Sequence, residues 1–193
     1  MTMRTRVVAL GAATALALTG CSMLGADDSD GDAGADASSS QTSGVVNGDA
    51  STNGAKAAGI DLKNPPKPIA EQTITVDQDS VDETKVELLE LRRDDNVMLA
   101  TFRLTGTGRG TEDKTAFKLL GWSSFAPVLI DMKNLEKYKH VEDLTSDDIS
   151  ASAPLGQPVY MFTAFPLPRD GVTEMDLRVT SESPAIEDIP MPK

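Results

Sequence analysis

Four carboxylates crowd into Asp27-Asp28-Ser29-Asp30-Gly31-Asp32, an oxygen-rich run of the kind that could hold calcium. A calcium loop of the helix–loop–helix type needs glycine at its sixth position and a bidentate glutamate at its twelfth. Counted from Asp28, those positions are Ala33 and Ser39, so the run reads as a solvated acidic spacer. Gly106-Thr107-Gly108-Arg109-Gly110 has neither dinucleotide-binding spacing nor the Lys-Ser/Thr of a phosphate cradle, and it leads into Thr111-Glu112-Asp113-Lys114 rather than an apolar helix. It reads as a loop. His140 has Glu142 and Asp143 nearby, but a hydrolase would also need a serine on a strained Gly-x-Ser-x-Gly turn. The nearest approximation, Gly121-Trp122-Ser123-Ser124, lacks the second glycine, so His140 reads as an exposed strand residue. The acid pairs Glu142-Asp143 and Asp147-Asp148 suit glycoside chemistry only where a fold fixes their separation and desolvates one of them. Trp122 with Phe117 and Phe125 offers a stacking platform for a sugar or peptide, and core packing is the favoured use at this spacing. One cysteine and one histidine in 193 residues exclude an internal disulfide, a multi-cysteine metal site and a His-rich zinc or copper site. No catalytic residue, metal or cofactor is assigned, and the expected protein is not an enzyme.

The lone cysteine has a sharper context. Arg4 and Arg6 precede an uncharged, mostly apolar stretch at residues 7–18. That is shorter than the roughly 20 residues needed to span a bilayer, and reads as a signal-peptide core. Leu18-Thr19-Gly20-Cys21 follows. The string resembles the bacterial lipobox, in which an aliphatic residue and two small ones present a cysteine to the lipidation machinery. The resemblance implies a signal peptide at residues 1–20, a diacylglyceryl thioether on Cys21, and a chain anchored to the outer face of the cytoplasmic membrane. Two acyl chains hold stably where one is marginal. The competing reading is an ordinary secretory signal with an incidental cysteine.

Eighteen basic residues against 30 acidic ones leave a net charge of −12. Nucleic acid is a poor partner for such a chain, because binding phosphate needs a clustered Lys/Arg surface. The same charge should hold the folded part away from anionic headgroups.

The elements that position these residues begin late in the chain. Residues 22–70 contain no aromatic residue and only seven of Val, Ile, Leu and Met. So little apolar surface cannot offset chain entropy, so residues 21–70 are expected to form a disordered Ser/Gly/Ala/Asp-rich tether. The reach of a flexible chain of this length is roughly 40 Å, enough to cross a wall layer. Asn64-Pro65-Pro66-Lys67-Pro68 is its stiff, extended end, and the folded domain is expected over residues 71–193.

Within that domain the apolar period is mostly two. Met98, Ala100, Phe102 and Leu104 alternate with Leu99, Thr101 and Arg103, and Met175, Leu177 and Val179 with Asp176 and Arg178. Tyr160, Phe162 and Ala164 share one face, with Met161, Thr163 and Phe165 on the other. Val86, Leu88, Leu89 and Leu91 make a strand that is either buried on both sides or bulged at the Leu pair; a helix over 84–91 is too short and poorly capped. Arg93-Asp94-Asp95-Asn96 and Asp131-Met132-Lys133-Asn134 read as hairpin turns, Gly106, Gly108 and Gly110 as a mobile loop, and residues 142–149 as room for a helical turn. Seven to nine such strands point to an antiparallel β-sandwich.

Read in order, the domain presents Val86-Glu87-Leu88-Leu89-Glu90-Leu91, Leu129-Ile130-Asp131 with Lys137-Tyr138, then Gly156-Gln157 with Tyr160, Phe165-Pro166 and Pro168, and finally Val172-Thr173. Over residues 83–190 this resembles the Ig-like domain of actinobacterial envelope lipoproteins, often found in front of an OmpA-like peptidoglycan-binding domain. The resemblance implies an Ig-like sandwich and carries no catalytic residues. The chain stops at Lys193, where the OmpA-like domain would begin, so wall binding through that domain is not expected.

The expected function is that of a lipid-anchored, non-enzymatic interaction module of the cell envelope. Its partners are the membrane, through Cys21, and an envelope protein or wall polymer. A small-ligand receptor lipoprotein of a transport system is the alternative, disfavoured because the domain leaves little room for two lobes and a cleft. The candidate contact residues are Arg109 and Lys114, local cations on the 105–115 loop, and Trp122.

Overall fold

A computed structural model describes residues 52–193. The readings of residues 1–20, of Leu18, Thr19, Gly20 and Cys21, and of most of the tether lie outside the described residues. The described chain runs β1 (Ala70–Gln78), β2 (Val81–Asp94), β3 (Val97–Gly108), β4 (Asp113–Thr115), α1 (Ala116–Leu119), β5 (Val128–Asp131) and β6 (Glu136–Lys139). A 3-10 turn (Glu142–Leu144) follows, then β7 (Ser152–Pro154), β8 (Pro158–Pro166), β9 (Glu174–Arg178) and β10 (Ile186–Pro190).

Two antiparallel four-stranded sheets, ordered β1-β2-β3-β8 and β10-β9-β5-β6, enclose one core, and β4 and β7 form a separate two-stranded ribbon. The fold is all-β, an antiparallel sandwich. It shares with immunoglobulin domains the packing of two such sheets across an apolar layer, while its first three strands form a meander within one sheet. Met98, Ala100, Phe102 and Leu104 face inward from β3, meeting Leu129 of β5, Met175 and Leu177 of β9, and Ile186 and Ile189 of β10. Phe102 and Phe125 meet edge to face, with ring centroids 5.4 Å apart.

The Leu88-Leu89 pair is resolved by a bulge. Leu88 pairs with Phe102 but Glu90 pairs with Thr101, so β2 carries one extra residue there. The insertion resets the side-chain phase: Val86, Leu88 and Leu91 face the sandwich core, while Leu89 is buried on the opposite face. Both halves of the sequence expectation hold.

What buries Leu89 corrects the expected boundary at residue 71. Ala55 is fully buried against Leu89 and Tyr160, with Ala58, Ile60 and Leu62 packed around them. Residues 52–62 thus form a strap on the outer face of the first sheet. Its carbonyls accept hydrogen bonds from the backbone N–H of Tyr160 (to Asn53, 2.8 Å) and of Ser152 (to Thr52, 2.9 Å). Gly54 makes the close approach possible, because a Cβ there would lie 2.3 Å from the Tyr160 carbonyl oxygen. The low apolar count of this segment is real, but alanine, glycine and a buried Asn53 dock by fit and backbone hydrogen bonds rather than by bulk.

The same logic closes the free edge of β8. Beyond Asn53, the Ser146 hydroxyl accepts from Phe162 N–H (2.7 Å), and Val141 N–H donates to the Ala164 carbonyl (2.8 Å). Irregular chain therefore satisfies three successive outward-facing residues of what would otherwise be an open template for strand addition.

Candidate functional site

The three residues singled out from the sequence lie around one end of the sandwich, where the β1–β2 turn meets the end of β3. Gln78 pairs with Val81, so Asp79 and Ser80 form a two-residue turn, with φ of +49° and +67°. Both are left-handed, as a type I′ hairpin turn demands. Gly108 touches this turn: a Cβ there would fall 2.0 Å from the Ser80 carbonyl oxygen, which accepts the Arg109 N–H at 2.9 Å. The loop expected over residues 105–115 is thereby narrowed to residues 109–112. Residues up to Gly108 belong to β3, residues from Asp113 to β4, and the glycine serves tight packing rather than mobility.

Lys114 is corrected more sharply. It is only 2% exposed, because pairing of β4 with β7 turns its side chain beneath the β1–β2 turn. There its Nζ lies 3.2 Å from Asp79 Oδ2. It is an internal counter-ion and offers no free charge to a partner. Lys118, on α1, approaches the same oxygen at 3.1 Å from the solvent side. The two ammonium groups, Lys118 foremost and then Lys114, hold the Asp79 carboxyl below its usual value. Arg109 remains exposed and lines a shallow concavity with Asp77, Asp79 and Asp82.

Trp122 is reached from this cluster through Lys118, whose Nζ sits 5.8 Å from the indole centroid. The short α1 is capped by Thr115, whose hydroxyl accepts the Lys118 N–H, and its end is tied to β2 by the Thr84 hydroxyl donating to the Leu119 carbonyl at 2.6 Å. Beyond α1, Trp122 N–H donates to the Phe117 carbonyl at 3.0 Å. Trp122 holds φ +62°, a left-handed backbone that costs a bulky residue about 1–2 kcal/mol. The ring stands edge-on to Phe117, centroids 5.6 Å apart, and stays 52% exposed. The aromatic trio thus divides: Phe125 is core, Phe117 is half-buried support, and Trp122 is surface. Lys118, the link between Asp79 and Trp122, carries no motif of its own; only its position four residues before Trp122 could have suggested it.

The other constellations come together in a second shallow concavity, lined by His140, Glu142, Asp147 and Asp148. The His140 Nδ1 lies 3.2 Å from the Pro127 carbonyl oxygen. Asp148 accepts Phe125 N–H and Asp147 accepts Ile149 N–H, both at 2.9 Å, so these acids brace turns. Among the described residues, no group of three or more His, Cys, Asp or Glu could hold a metal, and no helix is long and apolar enough to cross a membrane.

One end of the sandwich thus displays an indole over a lysine–aspartate cluster. No protein family, curated protein or solved structure matches the chain.

Proposed function

We propose that this protein is an interaction module of a bacterial cell envelope, lipid-anchored through Cys21, that binds an envelope protein or wall polymer and performs no chemistry of its own. The observation that carries the contact half of this reading is Trp122. A large indole is kept half-exposed on a strained turn, propped by Phe117 and bracketed by a lysine that an aspartate holds in place. Rigid amphipathic aromatics beside a cation are the usual anchors of binding surfaces. The lipobox resemblance at Leu18-Thr19-Gly20-Cys21 supports the anchored half.

Two variants test the halves separately. Cys21→Ser should release the protein from the membrane fraction or leave it unprocessed; normal processing with full membrane retention would refute the anchor. Trp122→Ala should reduce crosslinking of the tethered domain to its partner in intact envelopes by roughly tenfold or more, as loss of a central aromatic anchor does. Unaltered crosslinking would move the contact surface elsewhere. A small sugar or peptide that strongly raises the melting temperature would favour the receptor alternative instead.

A further inference from the structure

The edges of the two sheets are closed unequally. Irregular chain covers β8, β6 carries Lys137 and Lys139, and β10 is bulged between Ile186 and Ile189 and ends in Pro190. Each of these features discourages strand addition. Between Ala70 and Thr75, β1 has none of them. It pairs with β2 in unbroken register over that run, contains neither lysine nor proline, and continues Thr73-Ile74-Thr75-Val76, residues that favour extended chain. Among the described residues, no backbone hydrogen bond reaches β1 from anything but β2. The first sheet therefore ends in an open row of N–H and C=O groups.

A cavity lies beside this edge, between the second half of β1 and the turn that joins β9 to β10. Ile74, Val76 and Leu120 form its apolar wall, with Gln78, Ser123 and Glu182 among its polar members. Glu182 is the one charged residue that lines it, and it makes no ion pair among the described residues. Its turn is braced. The Thr180 hydroxyl accepts Glu182 N–H at 3.2 Å and Ser183 N–H at 2.9 Å, and the Ser183 hydroxyl accepts Thr180 N–H at 3.2 Å. Other charges at this edge already have opposite neighbours. Lys85 joins Glu71 to Glu87, Asp77 shares a concavity with Arg109, and Lys118 is held by Asp79. Gly121 and Ser123, which flank Trp122, also line the cavity, so the open edge runs up to the Trp122 surface.

We propose that β1 accepts an extended segment of a polypeptide partner as a fifth strand of the first sheet, with one lysine or arginine of that segment laid into the cavity against Glu182. Main-chain pairing supplies the affinity, and the cavity selects the side chain. Apolar walls that end in a carboxylate suit an aliphatic stem with a cationic head. A second copy of this chain is a poor occupant, because it brings a net charge of −12 to an edge whose unmatched charge is already negative. The inference rests on the reading of this protein as an interaction module, and it makes the partner a strand-forming polypeptide rather than a glycan.

The test is a titration of full-length protein carrying Cys21→Ser with a short fluorescent peptide that alternates valine and lysine. Anisotropy should rise with this peptide and stay flat with a counterpart that alternates valine and glutamate. Amide exchange over residues 72–75 should slow several-fold in the complex, as strand pairing demands. N-methylation of one alternate set of peptide residues should abolish binding and of the other set leave it, because only every second N–H of an added strand faces β1. Glu182→Lys should weaken the lysine peptide by roughly fivefold or more at an unchanged melting temperature, and should let the glutamate peptide bind. A folding defect would produce the first effect and not the second. In intact envelopes, Glu182→Lys should lower partner crosslinking as Trp122→Ala does. Crosslinking that falls with Trp122→Ala alone would overturn strand addition and leave the Trp122 contact standing; a fall with Glu182→Lys alone would keep strand addition and remove Trp122 from the contact. Peptide capture without protection of β1, capture indifferent to the charge at 182, or dimers that protect β1 with no peptide present would each overturn the proposal.

Discussion

Asp79 shows how much one side chain can organise at a sandwich end. Its single Oδ2 receives a buried ammonium from Lys114 and a solvent-facing one from Lys118, so the turn, the β4–β7 ribbon and α1 share one polar joint. Such a joint tolerates an isostere better than a charge reversal, because reversal buries a carboxylate against the part-exposed Asp79. Lys114→Glu should therefore lower stability by about 3–5 kcal/mol, and Lys114→Met by much less, in denaturant titrations. Equal, small losses would mean that the lysine is solvated. A second pair lies on the outer face of the first sheet, where Arg103 grips Glu87 through two hydrogen bonds of 2.6 and 2.8 Å. The guanidinium, with help from Lys85, holds the buried Glu87 carboxyl below the ordinary glutamate value of 4.5. A folded-state value below the unfolded one means stabilisation that is complete above 4.5 and lost as pH falls through the folded value. The parent should thus outmelt Glu87→Gln near pH 7, and the gap should close as pH drops below 4.5; a gap constant with pH would contradict the linkage. At this scale the sequence was legible in part. Arg109 is exposed as expected; Trp122 is exposed although core packing was the favoured use of its aromatic trio; and Lys114 looked like a loop charge because a three-residue strand, Asp113–Thr115, leaves no periodicity to read.

Elements built from bulky alternation were the legible ones. The β2–β3 and β5–β6 hairpins, β8 and β9 all carry two-residue apolar periods, and the Leu88-Leu89 pair announced its own bulge. The helical turn foreseen within 142–149 is the 3-10 turn Glu142–Leu144. Missed were elements held by backbone and fit. β1 lies at a sheet edge with Thr, Gln and Glu on much of its length, and the strap over Leu89 and Tyr160 buries mainly alanine. Limited proteolysis should accordingly leave a core that begins near residue 52, with residues 52–62 protected in the parent. Gly54→Ala, which forces a Cβ toward the Tyr160 carbonyl at a φ of +81°, should make that segment cleavable while residues 70–190 stay intact. A parent core that starts at 71 would mean that the strap is not held.

The whole molecule depends on one apolar layer shared by two sheets. Buried residues from β1, β2, β3, β8, β5, β9 and β10 all join it, together with Leu119 and Leu120 beside the candidate site. A core common to both sheets leaves neither able to bury its inner face alone, so the sandwich should unfold as a unit. Phe102 sits at its centre, fully buried on β3 and edge-stacked on Phe125 from the chain that follows α1. Phe102→Ala removes that contact and leaves a cavity between the sheets, a change that costs about 3–5 kcal/mol. The loss should appear as a lower midpoint of one calorimetric transition, with calorimetric and van't Hoff enthalpies still equal. Strap variants such as Gly54→Ala should instead open locally, moving exchange protection at Ser152 and Tyr160 before the global melt. Two resolved transitions in Phe102→Ala would show that the sheets hold separately, and the Trp122 end would then be free to move independently of the β5–β6 hairpin.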